Sequence, residues 1–169
     1  MKASSEKLEL RIATSEGEFV ASYSPDGLCA LSFPGRSRMA PDQPQRLPEK
    51  VKRWHSLTVK ALEEALQGRA PAELPPLDIS SGTQFQQEVW RAMCQIAAGQ
   101  TWSYGQVATA IGKPNAVRAV GGACGANPIP VFVPCHRVVA AGNTLGGFSA
   151  PMNWKRALLT REGARVRGL

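Results

Sequence analysis

A chain of 169 residues, 43% apolar and 20% charged, describes an ordinary globular protein of one large or two small domains, which excludes a disordered chain. No stretch reaches the ~20 apolar residues of a membrane span, and Met1-Lys2-Ala3-Ser4-Ser5 has no apolar run behind its lysine, so a cytoplasmic protein with no membrane partner is expected. The formal charge of +7 is one-sided: residues 1–83 carry 11 Lys/Arg against 11 Asp/Glu, whereas residues 84–169 carry nine against only Glu88 and Glu162. A basic half of this kind suits a polyanion, although a merely solvated basic surface would have the same composition.

Three short alternating runs open the chain. Leu8, Leu10 and Ile12 share one face of a first strand, and Phe19, Ala21 and Tyr23 one face of a second. Leu28 to Phe33 forms a third strand after the turn Ser24-Pro25-Asp26-Gly27. Together they predict a small antiparallel meander. A proline-rich loop (Pro34, Pro41, Pro44, Pro48) leads to a helix with Val51, Trp54, Thr58, Ala61, Leu62, Ala65 and Leu66 at helical spacing, stopping at Gly68. From Gly68 to Gly82, Pro71, Pro75 and Pro76 interrupt any periodicity, and this linker coincides with the charge break. The domains are therefore set at 1–79 and 80–169.

The second half opens with Thr83-Gln84-Phe85-Gln86, a capping-box pattern, followed by a helix with Phe85, Val89, Trp90, Met93 and Ile96 on one face and a buried Cys94 beside it. Gln106 to Ile111, the turn Gly112-Lys113-Pro114 and Asn115 to about Cys124 then read as a helix-turn-helix. Its second helix is built from Ala116, Ala119, Gly121, Gly122, Ala123 and Gly125. Glycines cost a helix roughly 1 kcal/mol each relative to alanine. Such a surface admits another backbone closely, either a packed helix or a nucleic-acid groove, and cannot read base edges with side-chain hydrogen bonds. A glycine-rich loop from Ala141 to Ser149 leads to a last helix starting at Ser149-Pro151, with Trp154, Leu158 and Leu159 inward and Gly163 closing it. The fold class expected is α+β: a small N-terminal antiparallel sheet domain with a helix, and a mainly helical, winged-helix-like C-terminal domain.

The chemistry concentrates between Ile129 and Val139. An apolar, proline-punctuated run there carries Cys135, His136 and Arg137 in succession, groups that are costly to bury unless partnered or used. A thiol becomes nucleophilic as thiolate, and His136 is the one base at hand, since His55 lies on the first helix. A histidine in that role needs a carboxylate to orient it. Glu88 sits on the exposed side of its helix, which leaves Glu162. A buried structural Cys–His pair would look the same at this stage. The remaining cysteines, Cys29, Cys94 and Cys124, form no Cys-x-x-Cys pair, so neither a metal, a cofactor nor a disulfide framework is expected.

Pro134-Cys135-His136-Arg137 resembles the signature of the O6-alkylguanine-DNA alkyltransferases, also called methylated-DNA–protein-cysteine methyltransferases. Arg118-Ala119-Val120-Gly121-Gly122-Ala123, Asn127-Pro128, Tyr104 within Thr101-Trp102-Ser103-Tyr104, and Leu158-Leu159-Thr160-Arg161-Glu162-Gly163 fall in that family's order and spacing. The resemblance spans residues 80–163. It implies single-use DNA repair. The second helix of the pair enters the minor groove of double-stranded DNA, with little sequence preference, through Arg118, Ala119, Gly121, Gly122 and Ala123. Arg118 fills the gap left by the damaged base and Tyr104 presses on the phosphate, so that the nucleotide flips out.

Cys135 then takes the alkyl group of O6-alkylguanine, O4-alkylthymine being a further candidate. His136 acts through a water and Glu162 orients it; Asn127 supports the turn before Cys135, and Tyr104 donates to the leaving base. Val138, Phe148, Ser149 and Trp102 line the substrate pocket. The product is a thioether, so each molecule acts once. A monomer is expected, with cooperative assembly on DNA left open. Phe148 replaces a common tyrosine, which removes a hydroxyl from the pocket wall, and Ala150-Pro151 replaces a common Gly-Gly, whose added methyl and ring are expected to narrow the pocket. The zinc ligands of some relatives' N-terminal domains have no counterpart, Cys29 is expected in the strand core, and the role of Cys124 is left open, with packing favoured. A lesion binder without transfer, a DNA-binding regulator and a cysteine hydrolase are the rivals; only the first two use the basic half, and the first lacks the cysteine.

Overall fold

A computed structural model describes residues 7–36 and 46–169. Pro41 and Pro44 of the proline-rich loop, and the Met1–Ser5 stretch, lie outside the described residues. Strands β1 (Leu8–Thr14), β2 (Gly17–Ser24) and β3 (Gly27–Ser32) form an antiparallel sheet in that order. Leu10 pairs with Ala21 and Ile12 with Phe19, so the alternating apolar residues share one buried face, as a period of two requires. Cys29 is buried in β3.

Helix α1 (Glu49–Leu66) lays Val51, Trp54, Thr58, Ala61, Leu62 and Ala65 on the protein interior. The hydroxyl of buried Tyr23 donates to Thr58 Oγ1 (2.9 Å) and lies 3.0 Å from His55 Nδ1, so this histidine has a structural partner in the N-terminal half.

Part of the segment expected as a linker, residues 76–78, is docked on the N-terminal sheet. Leu28 N–H donates to Pro76 O and Asp78 N–H to Leu28 O, both at 2.8 Å, which lays residues 76–78 along β3. Proline lacks an N–H but keeps its carbonyl, and here the carbonyl does the pairing. The approach is close enough that a Cβ on Gly27 would stand 2.3 Å from Pro76 O.

In the second half, α2 (Gln84–Met93) is capped reciprocally by Thr83 and Gln86. It ends at Met93, so Cys94 becomes the C-cap and is exposed, where the sequence had it buried. Strand β4 (Trp102–Ser103) pairs in parallel with β5 (Val138–Val139). Helix α3 (Tyr104–Ala110) begins two residues before the expected Gln106, because Ser103 and Gln106 form a second capping box. Helix α4 (Val117–Gly125) starts two residues later than Asn115, without a side-chain cap. Helix α5 (Met152–Arg161) follows, and among the described residues no helix is long and apolar enough to cross a membrane.

Among the described residues the mixed α/β fold comprises a three-stranded sheet, the two-stranded β4–β5 pair and five α-helices, with a core that runs through both halves. Phe19 and Phe33 pack on Trp154 of α5 at 5.4 and 5.0 Å between ring centroids. Leu31 N–H donates to Pro128 O (2.9 Å), and the Arg161 guanidinium grips both carboxylate oxygens of Glu16 at 2.6 and 2.7 Å.

Candidate functional site

The segment between α4 and β5 is held by its own polar groups. Asn127, buried at the end of α4, accepts from Ile129 N–H (3.0 Å) and donates to Val133 O (2.7 Å), so one amide clamps both ends of a tight loop. Inside the loop Val131 has φ +76°, a conformation that branched side chains rarely adopt, and the clamp maintains it. The chain then turns through a short 3-10 helix, Cys135–Arg137, with Cys135 N–H donating to Val133 O (2.8 Å). Cys135 is 4% exposed. Burial pushes its thiol up; the Asn127 side chain, the charge of Lys155 and the backbone amides of Cys135 and His136 pull the other way.

Glu162 lies where α5 stops. Gly163, at φ +72°, lets Ala164 N–H donate back to Leu159 O (2.9 Å) and its own N–H to Thr160 O (3.0 Å), which ends the helix with Glu162 as the C-cap turned inward. Its carboxylate accepts from His136 Nε2 (2.9 Å) and takes a two-pronged bond from Arg137 through Nε (3.0 Å) and Nη2 (2.8 Å). The third arm of that guanidinium, Nη1, donates to Ile96 O at 2.6 Å. Burial alone would raise the Glu162 carboxyl, but the hydrogen bonds from His136 and Arg137, with the arginine's charge, hold it down at about 2.

Burial lowers His136, so the ring is neutral at pH 7 with its proton on Nε2 facing Glu162. That leaves Nδ1 as a free acceptor, the single buried side-chain nitrogen or oxygen without a partner among the described residues.

A cavity of about 250 Å³ reaches Cys135 and is lined by Tyr104, Gly121, Cys124, Gly125, Gly147, Phe148 and Ser149. Small-molecule sites start near 300 Å³, so it suits a compact planar group. Burial pushes the Tyr104 phenol up, which keeps it a proton donor. Cys124, packed at 3.5 Å from Met93 Sδ, also faces this cavity, and burial with the neighbouring Cys135 pushes its thiol up to about 12. Of the two expected wall residues on β-strands, neither lines the cavity. Val138 is fully buried in β5 and offers its carbonyl to Lys155. Trp102 faces a separate shallow groove with Gln106 and Pro114.

Lys155 is the functional candidate that sequence reasoning missed. It is fully buried, donates from Nζ to Val138 O (2.7 Å) and Gly147 O (3.0 Å), and lies 5.9 Å above the Phe148 ring. Burial lowers its ammonium to about 8, against the pull of Cys135 and Cys124. Its place three and four residues before the inward Leu158 and Leu159 was the available signal.

The α4 residues divide by helical phase. Arg118, Ala119 and Gly122 are exposed and Gly121 is half-buried at the cavity rim. Ala123 is 2% exposed and its carbonyl accepts from Trp90 Nε1 (2.8 Å), so the expected surface contact is a buried one. Arg118 makes no hydrogen bond or ion pair within the described residues.

Comparison with known proteins adds four findings. Residues 84–164 match the family described as "6-O-methylguanine DNA methyltransferase, DNA binding domain". Among curated relatives, a methylated-DNA–protein-cysteine methyltransferase of Mycobacterium tuberculosis is 50% identical over 97 residues, covering 56% of this chain and 59% of the relative. The bifunctional transcriptional activator and DNA repair enzyme Ada of Escherichia coli is 54% identical over 87 residues, 52% of this chain and 24% of Ada. The chain thus spans between about a quarter and three fifths of these curated relatives. Among solved structures, Mycobacterium tuberculosis OGT in complex with DNA superposes with a TM-score of 0.75 at 37% identity, over 90% of this chain and 91% of that one.

Proposed function

The chain belongs to the O6-alkylguanine-DNA alkyltransferase family, and on that premise we propose that it repairs DNA by moving an alkyl group from O6 of guanine to Cys135. The observation that carries this reading is the placement of Cys135 at the end of a base-sized cavity beside the small-residue face of α4. A target atom inside a duplex stack is out of reach of a buried thiol, so the nucleotide must rotate out. Helices α3 and α4 are read as the helix-turn-helix, with the short Ala140–Thr144 hairpin as its wing. The exposed Ala119 and Gly122 let α4 sit deep in the minor groove, and Arg118 fills the space the base leaves.

With the base seated, the free Nδ1 of His136 takes the Cys135 proton through a bridging water, while Glu162 fixes the tautomer and steadies the imidazolium that forms. The thiolate attacks the alkyl carbon, the carbon–O6 bond breaks, and the electron pair returns to the guanine, which Tyr104 protonates. Asn127 holds the thiol-bearing turn, and its amide favours the thiolate. Of the two cavity thiols, Cys135 has these partners and Cys124 does not. A thioether has no mild route back to the thiol, so each molecule acts once, on double-stranded DNA with little sequence preference. The small volume of the cavity, about 250 Å³, favours small alkyl groups; O4-alkylthymine would need the same pocket.

Duplex DNA carrying radiolabelled O6-methylguanine tests the reading. One equivalent of label should pass irreversibly to the protein and none to Cys135→Ala. Label left on tightly bound DNA would mean a lesion binder or regulator, and label released to solvent over many cycles a hydrolase.

A further inference from the structure

Six of the nine Lys and Arg in residues 84–169 are engaged by the protein itself. Arg91 bonds Gln87, Lys113 pairs with Glu88, Arg137 with Glu162, Arg161 with Glu16, Lys155 is buried on carbonyls, and Arg156 donates to Gly168 O. Within the described residues Arg118, Arg165 and Arg167 have no such partner. Arg118 belongs to α4. The other two lie on the last segment of the chain, after α5.

That segment is placed by main-chain bonds that leave both guanidinium groups unused. Arg167 N–H donates to Asn143 O (2.8 Å), and Asn143 Nδ2 donates to Arg165 O (2.7 Å). Thr144 bridges Arg167 in parallel while its carbonyl accepts from Ala140 N–H (2.8 Å), so the tail is tied by a single β-bridge to the Ala140–Thr144 hairpin. Val166 is half-buried and Arg165 and Arg167 are exposed, the alternation of a strand with one face to the body, so both arginines project from the same outer face. The half's two acids, Glu88 and Glu162, are already paired with Lys113 and Arg137. Two residues beyond Thr144, Gly146 lies against the Tyr104 hydroxyl, a built Cβ there standing 3.3 Å from it, and Gly147, Phe148 and Ser149 line the cavity.

We propose that the C-terminal tail is the outer edge of the wing and that Arg165 and Arg167 bind backbone phosphates beside the lesion. The proposal rests on the DNA-repair reading and extends its contact surface from α4 to the far side of the cavity rim. Two unpaired guanidinium groups on one side of the tail suit successive phosphates of one DNA strand, and such contacts position the duplex without reading its sequence.

Each phosphate contact releases condensed counterions and adds about 0.9 to the slope of log affinity against log salt. Binding to lesion-free duplex between about 50 and 200 mM salt therefore reads the contacts directly. Arg165→Gln with Arg167→Gln should lower the slope by about 2, whereas Arg165→Lys with Arg167→Lys should keep it. An unchanged slope in the Gln pair overturns the proposal. So does an equal loss in the Lys pair, because the tail would then act by bracing the hairpin and not by charge. Failure of the underlying reading looks different: the unaltered protein would itself show no salt-dependent binding and no alkyl transfer.

Discussion

At the scale of single residues, the site depends on one carboxylate serving two neighbours. Glu162 orients His136 and neutralises Arg137, whose side chain is only 13% exposed. Its folded pKa of about 2 lies below the ordinary 4.5, so the folded state binds its proton more weakly than the unfolded chain does. The sign follows: Glu162 adds stability in full above pH 4.5, and that stability is lost as pH falls from 4.5 towards 2. Glu162→Gln leaves a largely buried guanidinium without its counter-ion, a loss that costs on the order of 3–5 kcal/mol. Urea unfolding at neutral pH should show a deficit of that size, and the gap between the two proteins should narrow as pH falls through this window. A gap that is the same at pH 3 and pH 7 would mean that Glu162 contributes shape and not charge.

At the scale of elements, α4 separates what the fold requires from what a partner requires. A Cβ built on Gly121, Gly122 or Gly125 meets no atom within 4 Å, so packing within the protein does not account for these glycines. Gly122→Ala should therefore stabilise the free protein by about 0.5–1 kcal/mol, through the lower backbone entropy of the unfolded chain. It should also weaken duplex binding, since the added methyl stands on the face of α4 that the proposed function turns towards DNA. A variant that is more stable and binds DNA as before would remove α4 from the interface. The elements themselves were legible wherever a period or a cap was present: the meander, the apolar face of α1, and the Thr83–Gln86 box. Ser103 and Gln106 carry the same signature, and applying it there places the start of α3 correctly. Helical phase was harder, because whether Ala123 points out or in depends on Trp90, 33 residues away. Glu162 could be reached by elimination only because the half holds two acids. The Arg137 fork and the Lys155 carbonyl bonds were not legible, since both depend on which elements the chain brings together.

At the scale of the whole molecule, the two halves differ in charge and are joined in packing. Phe33, the residue after β3, touches Trp154 of α5 at 5.0 Å and Phe148 at 6.2 Å between centroids, and Phe148 is a wall of the thiol cavity. The N-terminal sheet thus supports the cavity wall through one aromatic chain, Phe19 and Phe33 to Trp154 and Phe148, and the backbone bond from Leu31 to Pro128 holds the start of the thiol loop to the same sheet. A shared core of this kind predicts a single unfolding transition, with tryptophan fluorescence and far-ultraviolet dichroism changing together. Phe33→Ala removes a buried ring from the join and should cost about 3–5 kcal/mol. For a protein of this size that lowers the melting temperature by roughly 6–20 °C, and the transition should stay single as it moves. The alternative has its own signature. If residues 80–169 fold independently, the variant would show an early transition for the sheet half and a later one, at the original temperature, for the half that holds Cys135. Loss of labelling at Cys135 in step with the first and only transition would place the integrity of the cavity in the packing between the halves.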